Sequence, residues 1–458
     1  MKSGIINSKL FISAGLRIDP DIYLSEGSVV RNDLQHLPYE LSTVGENAVD
    51  VFYGNIFSRI FVHKPEHGMP YLAASDTVLA NLNTGRYLSK SQAANLSYLI
   101  LKKDWILVTC SGTLGNVTYT NKNFENHIAT HDLIRIIPNS KRVNKGTLYA
   151  FLSSKYGYYQ ITQSQFGGVV KHINTEQTKS IIVPVFPEDF QRAIDDHIQE
   201  SARMREQATD ALNKAISKVN DYCSWPFEKT FGHKTSSMKI SNIRDSYNLR
   251  LDAPVFVNDG VRWLSSIKRP TKRLGDCKIK TWYPGIFKRV YVRNGLPYVK
   301  GSALFLTNPF KSCDQLSKTK TPQLDELWLK ERMLLISCAG ACGDVRLITK
   351  EYEDKNAIGS PDIIRLTSSD SLFTTEYIFA YLQIPAVYDF MQSMKYGSVI
   401  ERFDKYSVEN IPIVEPSQEL SQEVTDIIRQ YMNYTYRAFQ LEETAITMVE
   451  EEIEKWNN

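Results

Sequence analysis

The sequence predicts an α+β protein of two β-rich blocks, each followed by a long α-helix, with the two helices forming an antiparallel coiled coil. Three observations favour this class: an internal repeat relates the halves of the 458-residue chain, short β-branched and aromatic runs fill each half, and each half ends in a long stretch with a seam of small and apolar residues. The segments are interpreted as a first block (1–186), a first helix (187–220), a connection with the second block (221–416) and a second helix (417–458).

Both long helices are predicted from periodicity. No Gly or Pro occurs in residues 188–220, which would span about 50 Å as a helix. Apolar and small residues recur in a four-three rhythm in both segments, at Ile194, Ile198, Ser201, Arg205, Ala208, Leu212, Ala215 and Val219 and at Val424, Ile428, Tyr431, Thr435, Ala438, Leu441, Ala445 and Met448. A seam this narrow favours one partner helix, and the alternative is two amphipathic helices packed on separate cores. The opposite face of the first helix is predicted to remain charged, with Asp195, Asp196, Arg203, Glu206 and Lys214.

The second half of the chain repeats the first at an offset of about 230 residues. The matched segments start at Val44 and Leu274, Met69 and Leu296, Trp105 and Met333, Ile128 and Ile358, and Gln165 and Lys395. Strands are predicted at 106–109, 133–137, 334–337 and 363–366, and short helices at 149–160 and 377–392. Each unit of the repeat is therefore interpreted as one β-rich globular block.

Composition places the chain among globular proteins. An apolar content of 42% is enough for two cores, and no apolar run approaches the length of a membrane span. The first twenty residues lack the pattern of a signal peptide, so we expect a cytoplasmic protein without membrane contact. Cys338 and Cys342 have a metal-like spacing, but neither a second pair nor a nearby His accompanies them. We interpret them as buried thiols and predict no metal site.

Catalytic motifs are missing from the sequence, which contains neither a phosphate-binding loop nor a zinc-protease or nucleophile-elbow motif. The glycine-rich segment 111–115 lies between two predicted strands, so we interpret it as a tight turn. A transferase or nuclease with a degenerate site is an alternative, with candidate residues Asp76, His127, His131 and Asp132. The repeat argues against it, because Pro361 stands at the position of His131.

Basic residues interleaved with aromatic ones are the main indication of function. Between Lys268 and Lys300 there are ten Lys or Arg and one acid, Asp276. Lys and Arg neutralise DNA phosphates, whereas Arg, Lys, Asn, Gln and Ser read base edges. The alternative is an ordinary solvated face of mixed charge. The first block is less basic here, with Arg59, His63, Lys64 and Arg86.

These segments resemble the specificity subunits of type I restriction-modification systems, whose chains carry two target recognition domains separated by long helices. The resemblance covers nearly the whole chain. It rests on a Pro-Tyr strand with a polar turn (69–76, 296–303), a strand with a Ser-Gly-Thr turn (108–115), an Asp-Leu-Ile-Arg type strand (132–135, 362–365), and the segments Gly-Gly-Val-Val-Lys-His-Ile (167–173) and 186–194. Departures occur at Phe190, where the family has Glu, and in the second half, where the Ser-Gly-Thr turn is Ala-Gly-Ala.

The resemblance implies a protein without an active site or cofactor of its own. It implies binding to double-stranded DNA, to adenine methyltransferase subunits that hold S-adenosylmethionine, and to a restriction subunit that holds ATP. Specificity subunits of type IIB enzymes or other phage-defence methylation systems are the alternatives within this plan, and a coiled-coil scaffold without nucleic acid is the alternative outside it. The predicted DNA-contacting residues are Arg59, Lys64, Ser75, Ser111, Thr113, Lys171, His172, Lys288, Arg289, Arg293, Lys300, Ser302, Lys395 and Arg402.

Overall fold

The structure is a computed structural model, which describes residues 26–112, 114–163, 172–223, 239–244, 251, 254–311, 313–339, 342–397, 399 and 401–457. The chain divides into two compact units. Unit 1 comprises Met1–Glu206 and Arg437–Asn458, and unit 2 comprises Gln207–Tyr436. Most of the predicted connection between the blocks, residues 224–238 and 245–248, lies outside the described residues.

Unit 1 contains three small sheets. Their strands are β1 Glu40–Thr43, β2 Ala48–Phe52, β3 Phe61–Val62, β4 Gly68–Leu72, β5 Tyr87–Ser89, β6 Ile106–Thr109, β7 Val117–Tyr119, β8 Ile128–Ala129, β9 Leu133–Pro138 and β10 Ile182–Val185. The sheet orders are β1-β10, β2-β9-β6-β7 and β3-β5-β4-β8, and β4 runs parallel to β8 while the other pairs are antiparallel. Strand β6 is a continuous β-branched and apolar run, and all four of its residues are buried at the centre of its sheet.

Six α-helices lie between residues 26 and 223 in the described part of the chain. They are α1 Glu26–Gln35, α2 Lys90–Ala94, α3 Lys145–Ser153, α4 Lys155–Gln163, α5 Thr175–Lys179 and α6 Glu188–Cys223. The last of these is the first predicted long helix, and it begins directly after Pro187 with two acidic residues in its first turn.

Unit 2 repeats the three sheets. Its strands are β11 Thr271–Arg273, β12 Ile279–Trp282, β13 Tyr291–Val299, β14 Asp314–Leu316, β15 Leu334–Ser337, β16 Val345–Leu347, β17 Ile358–Gly359, β18 Ile363–Ser368 and β19 Pro412–Val414. They are arranged as β11-β19, β12-β18-β15-β16 and β14-β13-β17, and β13 runs parallel to β17 as β4 does to β8. The four strands predicted from the sequence are β6, β9, β15 and β18, and all four are confirmed.

The remaining helices belong to unit 2, except for the last one, which the two units share. They are α7 Ile240–Arg244, α8 Pro254–Val257, α9 Asp259–Ser266, α10 Leu324–Leu327, α11 Lys350–Asp354, α12 Thr375–Leu382, α13 Pro385–Ser393, α14 Lys405–Glu409 and α15 Gln418–Lys455. The second predicted long helix is α15. No helix in the described part of the chain is long and apolar enough to cross a membrane.

Each of the two predicted short helices is in fact a pair of helices. The prediction of 149–160 as one helix is wrong, because Ser154 is extended (φ −68°, ψ 166°) and separates α3 from α4. The prediction of 377–392 is wrong for a related reason: Pro385 opens α13, and a proline clashes with a preceding helical turn. Both breaks occur at the same place in the repeat.

Each unit builds its core from its own β-rich block and from both long helices. In unit 1, Ile194 and Ile198 of α6 and Val449 and Ile453 of α15 lie in one buried cluster with the sheet and with α3. In unit 2, the corresponding cluster contains Ala208, Ala215 and Val219 of α6 and Val424 and Ile428 of α15. The helices thus pack on the blocks as well as on each other, so the predicted narrow seam understates their buried surface.

The two long helices are in contact within each unit. In unit 1, the Ser201 hydroxyl donates to the Ala438 carbonyl at 2.8 Å. In unit 2, Lys218 pairs with Glu423 of α15 at 2.8 Å, and the Tyr222 hydroxyl donates at 3.3 Å to the carbonyl of Glu415, three residues before α15 begins. The partner number falls as the α6 number rises, so these segments of unit 2 run antiparallel. Their description as a coiled coil remains a prediction.

Each unit contains a fully buried arginine, Arg135 or Arg365, that donates to several backbone carbonyls beside its sheet and is called the arginine clamp below. The Arg135 guanidinium donates to the carbonyls of Leu133, Ala129 and Thr130 at 2.9 to 3.0 Å. Its repeat counterpart Arg365 donates in the same way to residues 359, 360 and 363. Burial lowers the pKa of each guanidinium to about 10, so both remain charged at neutral pH. Both arginines lie in the shared Asp-(Leu/Ile)-Ile-Arg strand. Each one links the first residue of its own strand, in β9 or β18, to the backbone of the segment just before it, at residues 129–130 or 359–360.

Replacing either clamp by Lys is expected to destabilise one unit only. An ammonium cannot reproduce the planar fork that reaches several carbonyls, so Arg135→Lys and Arg365→Lys should each lower the free energy of unfolding by about 2 to 4 kcal/mol. Hydrogen exchange read by mass spectrometry should show faster exchange in β9 for the first variant and in β18 for the second. Arg203→Lys on the exposed face of α6 is the control, with an expected change within about 0.5 kcal/mol. Wild-type exchange in both clamp variants would refute the assignment.

Candidate nucleic-acid interface

The same irregular loop projects from each unit. Residues 53–60 link β2 to β3 in unit 1, and residues 283–290 link β12 to β13 in unit 2. The two loops have equal length and occupy equivalent positions in the repeat. Each begins with a half-exposed tyrosine, Tyr53 (51%) or Tyr283 (50%). Gly54 has no space for a side chain, because a Cβ there would lie 2.8 Å from a Leu99 methyl group.

An arginine near the end of each loop is held on a buried tyrosine. The Arg59 Nε donates to the Tyr71 hydroxyl at 2.6 Å, and the Arg289 Nε donates to the Tyr298 hydroxyl at 2.8 Å. In both units the guanidinium carbon also lies within 6 Å of the ring centroid, in cation–π contact. The hydrogen bond to Tyr298 raises the pKa of Arg289, which keeps its charge fixed at the surface. The sequence indicated the arginines and the Pro-Tyr strand of both halves, but not that each arginine is held on the tyrosine of that strand.

A second shared feature is a backbone bridge beside the glycine-rich turn. Ser111 forms an isolated antiparallel bridge with His172, and the equivalent Ala339 forms one with Arg402. Adjacent hydrogen bonds repeat as well, from the Ile173 amide to the Cys110 carbonyl and from the Phe403 amide to the Cys338 carbonyl. The structure thus brings two distant sequence motifs together in each unit, at the same relative positions.

The predicted DNA-contacting residues differ in accessibility. Thr113 and Lys171 lie outside the described residues. Ser111, His172, Arg289 and Lys395 are half-buried, and Arg59, Lys64, Ser75, Lys288, Arg293, Lys300, Ser302 and Arg402 are exposed. Ser75 and Ser302 occupy equivalent positions of the repeat, in the turns that follow β4 and β13.

The basic cluster is not one surface of ten cations. Arg269 stacks on Tyr222 at 3.7 Å, Lys272 pairs with Glu415 at 3.1 Å, and Arg273 pairs with Asp276 at 2.8 Å. Two of these three lie on β11, away from the 283–290 loop in the sheet order. Glu415, which is distant in the sequence, thus neutralises Lys272, and Asp276 neutralises Arg273, so the first part of Lys268–Lys300 is less basic than its composition indicates.

Closer to the loop, charge is partly balanced. Lys300 pairs with Asp314, which raises the pKa of the Lys300 ammonium, and Lys395 pairs with Glu401. In contrast, no hydrogen bond or ion pair involves the side chains of Lys288 and Arg293 within the described part of the chain. Both cations are therefore available to phosphates without first breaking a salt bridge.

The alternative catalytic residues do not form one site. Asp76 is buried, accepts the Ala73 amide at 2.6 Å and pairs with Arg86. His131 lies 3.4 Å from Asp132, with its ring edge-on to Phe57 at 5.9 Å. Burial lowers the pKa of His127, which contacts the Glu125 carbonyl instead. Among the described residues no group of three or more His, Cys, Asp or Glu could hold a metal ion.

The six cysteines are free thiols; Cys342 is buried as predicted, whereas Cys338 is only half-buried. Burial raises the pKa of each thiol, to about 11 for Cys110 and Cys338. At pH 8 a thiol with a pKa of 11 is about one-thousandth ionised, and the thiolate is the reactive form. Iodoacetamide should therefore label the folded chain about 100-fold more slowly than the unfolded chain, in which all six thiols should react. Peptide mapping by mass spectrometry gives the rate at each position. Rapid labelling at Cys338 or Cys342, or protection of this pair by added zinc, would contradict the interpretation as buried thiols.

Comparison with known proteins agrees with the repeat. The family model for the type I restriction modification DNA specificity domain matches the chain twice, over residues 50–213 and 283–449. No curated protein matches significantly. Among solved structures, the S subunit of a type I restriction-modification system from M. genitalium is 14% identical over 92% of this chain and 96% of its own, with a TM-score of 0.37. The HsdS subunit from Thermoanaerobacter tengcongensis is 13% identical over 91% and 97%, with a TM-score of 0.28.

The family assignment rests on the two sequence matches rather than on these distant structures. Together the matches cover well over half of the chain. Each match includes the loop at 53–60 or 283–290, an arginine clamp and most of a long helix. The resemblance noted in the sequence is thereby confirmed. The chain belongs to the type I restriction-modification DNA specificity family, and it is a DNA specificity subunit with one specificity domain in each half of the repeat.

Proposed function

We propose that the chain selects the DNA target of a methyltransferase complex by reading two half-sites with two target recognition domains. The observation that carries the proposal is the duplicated surface: in both units, an arginine near the end of an exposed loop is held on a tyrosine. Residues 1–186 and 221–416 are assigned to the two recognition domains, and residues 187–220 and 417–458 to the spacer helices. Two reading surfaces in one chain give a bipartite target with an unspecified gap.

The geometry suits a division of labour between contacts. Arg289 uses its Nε for Tyr298, which leaves its terminal N–H groups to donate to a guanine edge. Lys288 and Arg293 are exposed on either side of it and suit phosphates, which position the protein without reading sequence. In unit 1, Arg59 has the place of Arg289, with Ser75, Ser111 and His172 as further polar contacts.

The partners are proposed from the family. The chain itself is non-catalytic and binds no cofactor, while adenine methyltransferase subunits hold S-adenosylmethionine and a restriction subunit holds ATP; the complex acts in the cytoplasm. The face of α6 proposed for docking is smaller than the sequence indicated, because Asp195 accepts the Gly146 amide and Glu206 accepts the Lys122 amide within unit 1. Asp196 and Lys214 remain exposed. A type IIB or other phage-defence methylation system is the alternative assembly.

Removing the cations of one domain should erase one half-site only. In the variant Lys288→Ala/Arg289→Ala/Arg293→Ala/Lys300→Ala, nuclease footprinting of the full chain should lose protection over the second half-site and retain the first. The salt dependence should weaken as well, by about 0.9 in the slope of log K against log salt for each lost phosphate contact. A control variant removes four exposed cations elsewhere in unit 2: Arg262, Lys330, Lys350 and Lys355. One continuous footprint, or a quadruple variant with the wild-type footprint, would contradict the proposal.

The long helices are proposed to set the gap between half-sites. Both run unbroken through the boundary between the units, which falls after Glu206 in α6 and after Tyr436 in α15. Inserting four helix-forming residues at both points adds about 6 Å and about 40° of rotation. Because base pairs rise about 3.4 Å, binding selection from a library of gap lengths should return the same half-sites with a gap one or two base pairs longer.

A two-residue insertion at the same points is the matched control. It turns the following segments by about 200°, instead of the roughly 40° of the four-residue insertion, and so rotates one reading surface away from its orientation in the wild type. Binding to the full target should fall toward that of a single half-site for every gap length. An unchanged preferred gap after the four-residue insertion would refute the spacer role while leaving the reading role intact.

A further inference from the structure

The most exposed feature of the two loops is an isoleucine at the same position. Ile56 is 87% exposed and Ile286 is 90% exposed. Single apolar residues at a surface need no explanation, but these two stand at equivalent positions of the repeat, in loops that differ at half of their positions. The loops also differ at neighbouring positions, with Asn55, Ser58 and Ile60 in the first facing Gly285, Lys288 and Val290 in the second.

Each isoleucine projects from a braced stretch of backbone. The next residue turns inward: Phe57 lies edge-on to His131 and packs against the cluster around Tyr71, and Phe287 packs against the equivalent cluster around Tyr298. On the other side, the Asn55 amide donates to the Tyr98 hydroxyl at 3.4 Å. A β-branched side chain has few rotamers, so a stiff apolar group stands clear of each unit.

The pattern of shared and differing positions separates two kinds of contact. Side chains that read bases carry donors or acceptors and must differ wherever two half-sites differ. Phe57 and Phe287 are shared because they pack inside their units. Arg59 and Arg289 are shared because each donates to a buried tyrosine. The isoleucines have no hydrogen-bonding group and no intramolecular packing role, yet both loops keep them. They are therefore suited to a task that is the same at any sequence.

We propose that Ile56 and Ile286 act as wedges, which means that each inserts between two adjacent base pairs of one half-site and unstacks them. This inference rests on the proposed DNA-reading function. Isoleucine is among the apolar side chains that proteins use to open a base step. Arg59 and Arg289, three residues further along the loops, keep their proposed base-reading role beside the inserted group, and in unit 2 the exposed Lys288 and Arg293 supply charge for the flanking phosphates. A methyltransferase must take its target base out of the stack, and a step already opened by the wedge lowers that cost.

The test uses the full chain co-expressed with its proposed methyltransferase partner. The target is first selected by binding, and duplexes are then made with 2-aminopurine at successive positions of each half-site, because the fluorescence of this base rises when it is unstacked. Wild-type protein should raise the fluorescence several-fold at one step in each half-site. Ile56→Ala should abolish the rise in one half-site and Ile286→Ala in the other, with an unchanged preference for target sequence.

Val49→Ala and Ile240→Ala are the matched controls, since these residues are 71% and 84% exposed in units 1 and 2 but lie outside the loops. Both should retain the wild-type fluorescence. The wedge proposal is overturned if the double isoleucine variant keeps the fluorescence rise. It is also overturned if a variant relaxes the preference for thymine at one position, which would indicate contact with the thymine methyl group. Loss of the methyltransferase subunit as the only defect of a variant would overturn it too. Absence of bipartite binding by the wild type would overturn the proposed function itself, which distinguishes the two failures.

Discussion

The contribution of both long helices to both cores is the constraint on which the structure depends. Ile198 and Val449 close the core of unit 1, although 251 residues separate them in the sequence, and Val219 and Val424 close the core of unit 2. The carboxyl-terminal helix must therefore return to the first unit for that unit to bury its apolar surface. Each β-rich block is completed by segments of both long helices, and for the first block one of these segments is the carboxyl-terminal end of the chain.

Because both halves must pack on the same pair of helices, the internal contacts of the two units remain more alike than their surface residues. The buried contacts are repeated almost residue for residue, as in the arginine clamps of Arg135 and Arg365 and the arginine–tyrosine pairs of the loops. Several polar residues at or near the surface are not repeated, since Ser58 faces Lys288 and Ser111 faces Ala339. A shared scaffold with differing polar contacts is the arrangement expected of two domains that hold DNA in the same way and read different bases.

Sequence patterns predicted the elements whose physics is local. Strands β6 and β15 are continuous apolar runs, and the long helices are uninterrupted by Gly or Pro, so their periodicity was sufficient. The break at Ser154 was missed because it depends on backbone dihedrals that Ser does not dictate. The break at Pro385 was visible in principle, since Pro disfavours a helical residue before it.

Charge was harder to predict than fold. Ten cations in 33 residues indicated a basic face, but Glu415, distant in sequence, neutralises Lys272, and Asp314 neutralises Lys300. Arg135, which the sequence placed in the Asp-Leu-Ile-Arg strand, is fully buried and donates to backbone carbonyls. Such pairings depend on tertiary structure, which leaves Lys288 and Arg293 exposed and favours them as proposed phosphate contacts.

The central claim is that this chain alone determines which sequence its complex modifies. Methylome sequencing of cells that carry the methyltransferase partner, with and without this chain, tests it most directly. The account predicts adenine methylation at a bipartite motif with a fixed gap that appears only when the chain is present. The same methylated motif in cells without the chain, or a short continuous motif in its presence, would contradict the account.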